Sequence, residues 1–228
     1  MKRLWRYILI LIVVILFWNH PILGPLNNLS LVFHKIGHAL TAFFSGYGYY
    51  AFERTLGTNG DAVIEANSWF ASFMISNGGY LGSIFFSAML LLLKKTNIRK
   101  YLAGCTAIIY LAICISYPGF NSTMVNSVIF ASLIIIVYMI QKDILNEWII
   151  DIIGISIIAY IIYDTFVSTL LFSLNQQISI VNSWRTQLPD DIIRLSQSTN
   201  MPALLWGIIW LVIAVVVLNA IVLKGSKK

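Results

Sequence analysis

Two histidines four residues apart, His34 and His38, lie in an otherwise apolar, helix-favouring stretch. At ~100° per residue along an α-helix they fall ~40° apart, about one turn from each other. Two imidazoles in this arrangement can bind one metal ion. In the usual hydrolytic form of the pattern, H-E-x-x-H, a glutamate beside the first histidine activates a metal-bound water. Lys35 stands at that position here, so the sequence offers metal-binding histidines without the expected base.

A hydrolytic zinc site needs three protein ligands and one open position, so the histidines require a third partner. Asp164 is the first candidate, because a carboxylate inside so apolar a helix is costly unless it is paired or metal-bound. Asp190 and Asp191 are second candidates, since an aspartate in their polar stretch needs no special explanation. Asp151 lies ~140° around the helix from Asp164, and we expect it at the membrane interface.

The composition excludes a soluble globular domain. Of the 228 residues 59% are hydrophobic and 11% are charged, and the mean hydropathy is +0.83. The net charge of +6 does not indicate a nucleic-acid interface, because the basic residues flank the apolar runs, as anchors at a membrane surface do. These flanking residues are Lys2, Arg3, Arg6, Lys94, Lys95, Arg99, Lys100, Lys224, Lys227 and Lys228. We therefore expect contact with membrane lipid and none with nucleic acid.

The apolar runs predict an all-α polytopic membrane protein of about six or seven transmembrane helices, forming one integral membrane domain over residues 1–228. The predicted segments are 4–18, the metal-site helix 29–45, the Gly-rich segment 69–93, then 101–117, 123–141, the Asp164 helix 148–173, and the last span 203–223. The polar region 46–67 is predicted as a loop or a short strand hairpin. The polar region 175–202 is predicted as a loop and a short amphipathic helix.

The segment 69–93 is interrupted by small and polar residues, among them Asn77, Gly79 and Gly82. Small residues let helices approach closely, and an asparagine at membrane depth needs a partner, which is either another helix or substrate backbone. Three crossings from a cytoplasmic N-terminus would place the basic cluster 94–100 outside, against the positive-inside tendency. We therefore expect 69–93 to be the segment that fails to cross completely.

The motif His34-Lys-Ile-Gly-His-Ala-Leu-Thr-Ala42, with Gly46 after it, closely resembles the metal-binding helix of the site-2 protease family of intramembrane zinc metallopeptidases. The resemblance continues in Gly79-Tyr-Leu-Gly82, in Tyr163-Asp164, and in Asp191 followed by Thr199-Asn-Met-Pro202. Together these motifs are similar to those of the small bacterial branch of the family, in which most of the chain lies in the membrane.

The resemblance implies a site-2 protease-like core, one zinc ion, and a place in the bacterial cytoplasmic membrane. It implies His34 and His38 as zinc ligands, with Asp164 as the preferred third ligand and Asp191 as the alternative. Lys35 takes the position of the general-base glutamate. The resemblance further implies a transmembrane-helix protein as substrate or partner, and Asn77, Gly79 and Gly82 are interpreted as substrate-binding residues.

Lys35 departs from the family where the chemistry is most sensitive, because a protonated lysine has no lone pair with which to accept a proton. The residue is compatible with a natural pseudoprotease, with an introduced substitution, or with a working variant base. Three functions follow as hypotheses. The first is intramembrane hydrolysis of peptide bonds, impaired by Lys35; the second is non-enzymatic binding or regulation of partner helices; the third is a small transporter or metal-handling protein. Whether the chain is an active enzyme stays open at this level.

Overall fold

The computed structural model describes residues 2–57, 68–178 and 187–226, and within these ranges the chain forms helices and no strand. The helices are α1 (Lys2–Leu16), α2 (Gly24–Ala42), α3 (Tyr50–Gly57), α4 (Trp69–Leu93), α5 (Arg99–Ser116), α6 (Met124–Ile140), α7 (Asp143–Ile162), α8 (Phe172–Ile178), α9 (Asp190–Thr199) and α10 (Ala203–Ser226). Turns of 3-10 helix cover Pro21–Leu23 and Pro118–Thr123, and π-helical turns cover Phe43–Tyr47 and Tyr163–Leu171.

Five of the described helical segments are long and apolar enough to cross a membrane. They are Trp69–Leu93, Arg99–Ser116, Pro118–Ile140, Asp143–Asn175 and Ala203–Ile221, and Leu4–Leu16 is a shorter apolar helix. This confirms an all-α polytopic integral membrane protein. Helix α2, which carries the histidines, is not among the five, and the total of six or seven crossings stays a prediction.

Helix α2 begins five residues before the predicted start at 29, with Pro25 in its first turn, where a proline costs no hydrogen bond. The helical path continues past Ala42 as the π-helical turn and breaks at Gly46, whose φ of 99° favours glycine. The predicted strand hairpin in 46–67 is wrong for its described part, because Tyr50–Gly57 is helical. Residues 58–67 lie outside the described part of the chain.

Helices α2 and α4 approach one another across glycine. A Cβ added to Gly37 would lie 2.3 Å from the Gly78 carbonyl oxygen, and one added to Gly82 would lie 2.4 Å from the Gly37 Cα. Such contact between backbones is the way small residues hold membrane helices together. The glycines of 69–93 therefore serve this crossing within one continuous helix. This helix of 25 residues is long and apolar enough to cross a membrane, contrary to the expectation that the segment fails to cross completely.

Helix α7 supplies the core of the bundle. Its isoleucines face neighbours on several sides, as expected for a helix that is apolar all round. Ile150, Ile153 and Ile157 are buried in one cluster with Leu29 and Phe33 of α2. The histidine helix is thus held between α4 on one side and α7 on another, which fixes the direction of its side chains.

Asp151 of α7 is fully buried and forms ion pairs with Arg6 of α1 and Lys94 at the end of α4. Its expected position at the membrane interface stays a prediction. Lys94 Nζ also lies 3.3 Å from the Tyr7 hydroxyl oxygen, and the Arg6 guanidinium lies 5.0 Å from the centre of the Trp148 ring. Two cations therefore share one carboxylate inside the protein.

The same contacts resolve the conflict in orientation. Because Arg6 and Lys94 meet on one carboxylate, α1 begins and α4 ends at the same end of the bundle. Arg99, at the start of α5, pairs with Asp143 at 3.0 Å and with Glu147 at 3.3 Å, at the start of α7. The basic groups at Arg6 and at Lys94–Lys100 thus share one end, as the positive-inside tendency requires, without a break in α4. We call this the basic end.

The variant Asp151→Asn removes the charge that compensates two buried cations, so we expect it to lower the free energy of unfolding by about 3–5 kcal/mol. Asp143→Asn is the matched control, because the Asp143 side chain is 79% exposed and an exposed pair contributes at most about 1 kcal/mol. Unfolding by titration with sodium dodecyl sulfate in mixed micelles measures both. Equal small losses in the two variants would contradict a stabilising role for the buried pairs.

Candidate metal centre

Helix α2 brings the two histidines to one point. The Nε2 atoms of His34 and His38 lie 3.1 Å apart, and each residue is 2% exposed. The separation follows from the four-residue spacing, which places both rings on one face one turn apart. Two nitrogen atoms held this close in the protein interior form two ligands of a possible metal site.

A carboxylate from α9 lies against the two histidines. The Asp191 Oδ2 atom lies 2.8 Å from His34 Nε2 and 3.0 Å from His38 Nε2. These three residues form a group whose ligand atoms lie within 4.8 Å of one another, which is compatible with a metal ion. Asp191 is the alternative ligand of the sequence analysis, and the structure brings it, not Asp164, to the histidines.

Helix α9 is held by the packing of its apolar face and by hydrogen bonds from two indoles, those of Trp69 and Trp206. Ile192 and Leu195 are fully buried in the cluster that contains Trp206 and Trp210. The Trp206 indole donates to the Thr199 hydroxyl at 2.9 Å, and the Trp69 indole donates to the Ser198 carbonyl at 2.7 Å. Contacts from α4 and α10 therefore fix the C-terminal end of α9. With that end fixed, Asp191 in the first turn of α9 lies against the two histidines.

The outer ring nitrogens determine which histidine atoms are available. His38 Nδ1 lies 2.7 Å from the Ile75 carbonyl oxygen, which can only accept, so Nδ1 carries the proton and Nε2 keeps its lone pair. His34 Nδ1 has a longer contact with the Ser83 hydroxyl, at 3.4 Å. In both rings the atom that faces the carboxylate is Nε2, which is the orientation a metal ligand needs.

The carboxylate is also suited to a metal. Burial raises the pKa of Asp191. When Nε2 of the histidines also carries a proton in the metal-free protein, the charge of His38 and the hydrogen bonds from both rings outweigh burial and lower that pKa. A metal ion would replace those protons on Nε2. The Oδ1 atom is buried and has no hydrogen-bond partner within the described residues. Donor atoms ~2.0–2.1 Å from a tetrahedral zinc are ~3.3 Å apart, so the observed 2.8–3.1 Å separations need little adjustment.

Glycine forms the wall of the site on the α4 side. A Cβ added to Gly79 would lie 2.3 Å from His34 Nε2 and 2.4 Å from His38 Nε2, and would fill the space between the rings. The next residue, Tyr80, is fully buried and packs edge-on against the His34 ring, 5.2 Å between centroids. The absence of a side chain at Gly79 therefore keeps the space for a metal open.

Asp164, the preferred third ligand of the sequence analysis, is partly buried in the π-helical turn that follows α7, and its carbonyl accepts from Thr169. It is not a member of the three-residue group at the histidines. The cost of a carboxylate in an apolar helix favoured Asp164, whereas Asp191 looked like a surface residue. One available signal was that Asp191 and the apolar Leu195 share a face of α9.

Lys35 lies next to the ligands in sequence and is 3% exposed. Its Nζ atom lies 5.0 Å from the centre of the Phe120 ring, which belongs to the 3-10 turn before α6. The face of an aromatic ring attracts a cation, and more strongly when both are removed from water. The aromatic ring gives the lysine a favourable contact inside the protein.

Asn77 and Gly82 have structural contacts. The Asn77 amide donates to the Phe73 carbonyl at 2.8 Å, and its oxygen accepts from the Trp210 indole at 3.2 Å. Asn77 therefore makes the inter-helix hydrogen bond that the sequence analysis gave as one alternative. Gly82 packs against Gly37. Roles of Asn77, Gly79 and Gly82 in substrate binding stay predictions.

Comparison with protein families identifies a match over most of the chain. The model of the family described as Peptidase M50B-like matches residues 7–221, which is most of the chain. Comparison with curated proteins found no match, and comparison with solved structures found none. The matched range includes both histidines, Lys35, Asp164 and Asp191, and it agrees with the site-2 protease resemblance of the sequence.

The variant Asp191→Ala removes one of three converging ligands, and we expect it to weaken zinc binding by about 100-fold or more. Asp164→Ala and Asp190→Ala are matched controls that leave the three ligands in place, and they should keep near-stoichiometric zinc. Metal content of detergent-purified protein by mass spectrometry distinguishes them. Loss of zinc in Asp164→Ala and its retention in Asp191→Ala would reverse the assignment of the third ligand.

The variant Gly79→Ala places a methyl group between the two histidine rings, since its Cβ falls 2.3 Å from His34 Nε2 and 2.4 Å from His38 Nε2. We expect loss of zinc with helix content retained, measured by metal analysis and circular dichroism on the same sample. Gly57→Ala is the control, because no atom lies within 4 Å of its added Cβ. Full zinc content in Gly79→Ala would show that the metal does not occupy this space.

Proposed function

Since the chain belongs to the Peptidase M50B-like family, we propose that it is an intramembrane zinc metalloprotease-family protein whose hydrolytic activity is impaired by Lys35. One zinc ion would be held by His34, His38 and Asp191. The observation that carries this proposal is the convergence of two imidazole nitrogens and one carboxylate oxygen, at 2.8–3.1 Å, inside the protein.

The three proposed ligands, His34, His38 and Asp191, are suited to a zinc ion that catalyses hydrolysis. Zinc bound by three protein ligands with an open position polarises a carbonyl and lowers the pKa of water. His38 is oriented for this by the Ile75 carbonyl, and Asp191 by the packing of α9. The surrounding side chains exclude bulk water, which strengthens the electrostatic interactions within the site.

The base is the missing part. Hydrolysis of a peptide bond needs a group that accepts a proton from water and then donates it to the leaving amine. A glutamate at position 35 would have the required lone pairs and a charge opposite to that of the metal. The Lys35 ammonium has neither, and it lies against the Phe120 ring. The proposed site therefore binds metal and orients a carbonyl but lacks efficient proton transfer.

The proposed substrate or partner is a protein with a single transmembrane helix, because the site belongs to an integral membrane protein whose matched family consists of peptidases. Non-enzymatic binding of such a helix is the second candidate function. Lys35 favours it, since the three ligands and their supports are retained without a base. We further propose the bacterial cytoplasmic membrane as the location.

The variant Lys35→Glu tests the proposal directly. We expect it to cleave tagged single-span model proteins in proteoliposomes about 10²–10⁴ times faster than the unaltered chain, the usual contribution of a general base. Lys35→Gln removes the charge without supplying a base and should remain slow. Fragments are identified by mass spectrometry, and zinc content is measured on the same preparations.

The results of this experiment distinguish a metal site that lacks its base, a binding protein, and an enzyme whose base is the lysine. Cleavage by Lys35→Glu that disappears when His34→Ala is added supports a metal-dependent site that lacks its base. Zinc-loaded Lys35→Glu without cleavage would favour the binding function. Metal-dependent cleavage by the unaltered chain, at a rate equal to that of Lys35→Glu, would show that the lysine itself is a working base.

A further inference from the structure

A pocket of about 330 Å³ lies at the basic end, far along the chain from the metal ligands. It is formed where α5 begins, α6 ends and α7 begins. Its lining includes Lys100, Tyr101, Tyr138, Gln141, Lys142 and Asn146. This volume is at the small end of the range for ligand pockets, so it fits a compact polar group and not a large molecule.

The pocket is cationic. Lys100 and Lys142 both line it, and Asp143 is its only lining carboxylate. The Asp143 Oδ2 atom lies 3.0 Å from Arg99 Nη2, so a neighbouring cation already compensates that carboxylate. Arg99 also pairs with Glu147 at 3.3 Å. Lys100, Lys142 and Arg99 against Asp143 and Glu147 leave one excess positive charge, and the two lysines are the cations that Arg99's carboxylates do not neutralise, which suits an anionic ligand.

Contacts between the three helices hold the walls of the pocket in place. The Tyr138 hydroxyl of α6 donates to the Lys100 carbonyl and accepts from the Gly104 amide at 3.2 Å. The Asn146 amide of α7 donates to the Arg99 carbonyl at 3.3 Å. Because these bonds join the ends of α5, α6 and α7, the pocket exists before a ligand arrives, which reduces the entropic cost of binding.

Apolar side chains beside the pocket face outward. Ile140, next to the lining residue Gln141, is 46% exposed, and Ile144, next to Asp143, is 63% exposed. Tyr101 in the lining is 57% exposed. Helix ends in a membrane protein place such residues at the boundary between headgroups and acyl chains, where an aromatic ring is also favourable. A ligand with both an anionic group and acyl chains matches this combination.

We propose that this pocket binds the phosphate-bearing headgroup of an anionic phospholipid. Lys100 and Lys142 contact the phosphate, the Asn146 and Gln141 amides contact its polar substituent, and Ile140 and Ile144 pack against the acyl chains. Basic pockets between membrane helices bind anionic headgroups by the same combination of charge and shape. The buried pair of cations at Asp151 is distinct from this pocket, because Arg6 and Lys94 are already paired inside the protein.

Native mass spectrometry of delipidated protein in detergent tests the proposal with phosphatidylglycerol and phosphatidylcholine of matched chains. We expect phosphatidylglycerol to bind at least about tenfold more tightly. The double variant Lys100→Gln/Lys142→Gln should weaken its binding by about thirtyfold, and Lys142→Gln alone by about fivefold. Lys95→Gln is the matched control, because it removes a charge at the same end outside the pocket lining and should leave affinity unchanged.

Three results would overturn the proposal. Equal affinity for the two lipids would remove the anionic requirement. An equal loss of phosphatidylglycerol affinity in Lys95→Gln and Lys142→Gln would show that the lipid is attracted to the charged surface in general and not bound in the pocket. If glycerol 3-phosphate displaced the lipid completely at concentrations similar to those of the lipid, the site would be one that binds a free phosphate compound. Circular dichroism of the double variant separates loss of binding from loss of fold.

Discussion

The close crossing of α2 and α4 is the constraint on which the metal centre depends. Gly37, Gly78 and Gly82 let the two backbones touch, and this contact places Gly79 directly against both histidine rings. The Ile75 carbonyl, one turn earlier in α4, then lies within reach of His38 Nδ1. The same helix thus supplies the close packing, the open space and the hydrogen bond that orients a ligand.

Two buried groups of charged residues in this chain have opposite arrangements. At Asp151 one carboxylate pairs with an arginine and a lysine from different helices, and the pairs join α1, α4 and α7 at the basic end. At Asp191 one carboxylate faces two histidines, which can be neutral and can bind a cation. The first arrangement is complete within the protein, whereas the second has donor atoms directed at one point and suits a metal.

The sequence predicted the fold class and the placement of His34 and His38 on one helix face, because these follow from hydropathy and from local helix geometry. It preferred Asp164, whereas the structure places Asp191 at the histidines, because the burial of Asp191 arises when α9 packs against Trp206 and Trp210. The pairing of Asp151 with Arg6 and Lys94 also joins distant segments. No local pattern encodes a contact between residues so far apart in sequence.

A lysine at position 35, compared with a glutamate there, changes the charge of the proposed site as well as its chemistry. With glutamate, one Zn²⁺ and two carboxylates would sum to zero; with Lys35, the sum of +2, −1 and +1 is +2. A net charge of that size in the protein interior is costly unless the charges are separated or compensated. The contact of Lys35 Nζ with the Phe120 ring is a compensation of this kind, because the ring face attracts the ammonium. Phe120 thus gives the ammonium a favourable contact where a glutamate would instead have been attracted to the metal.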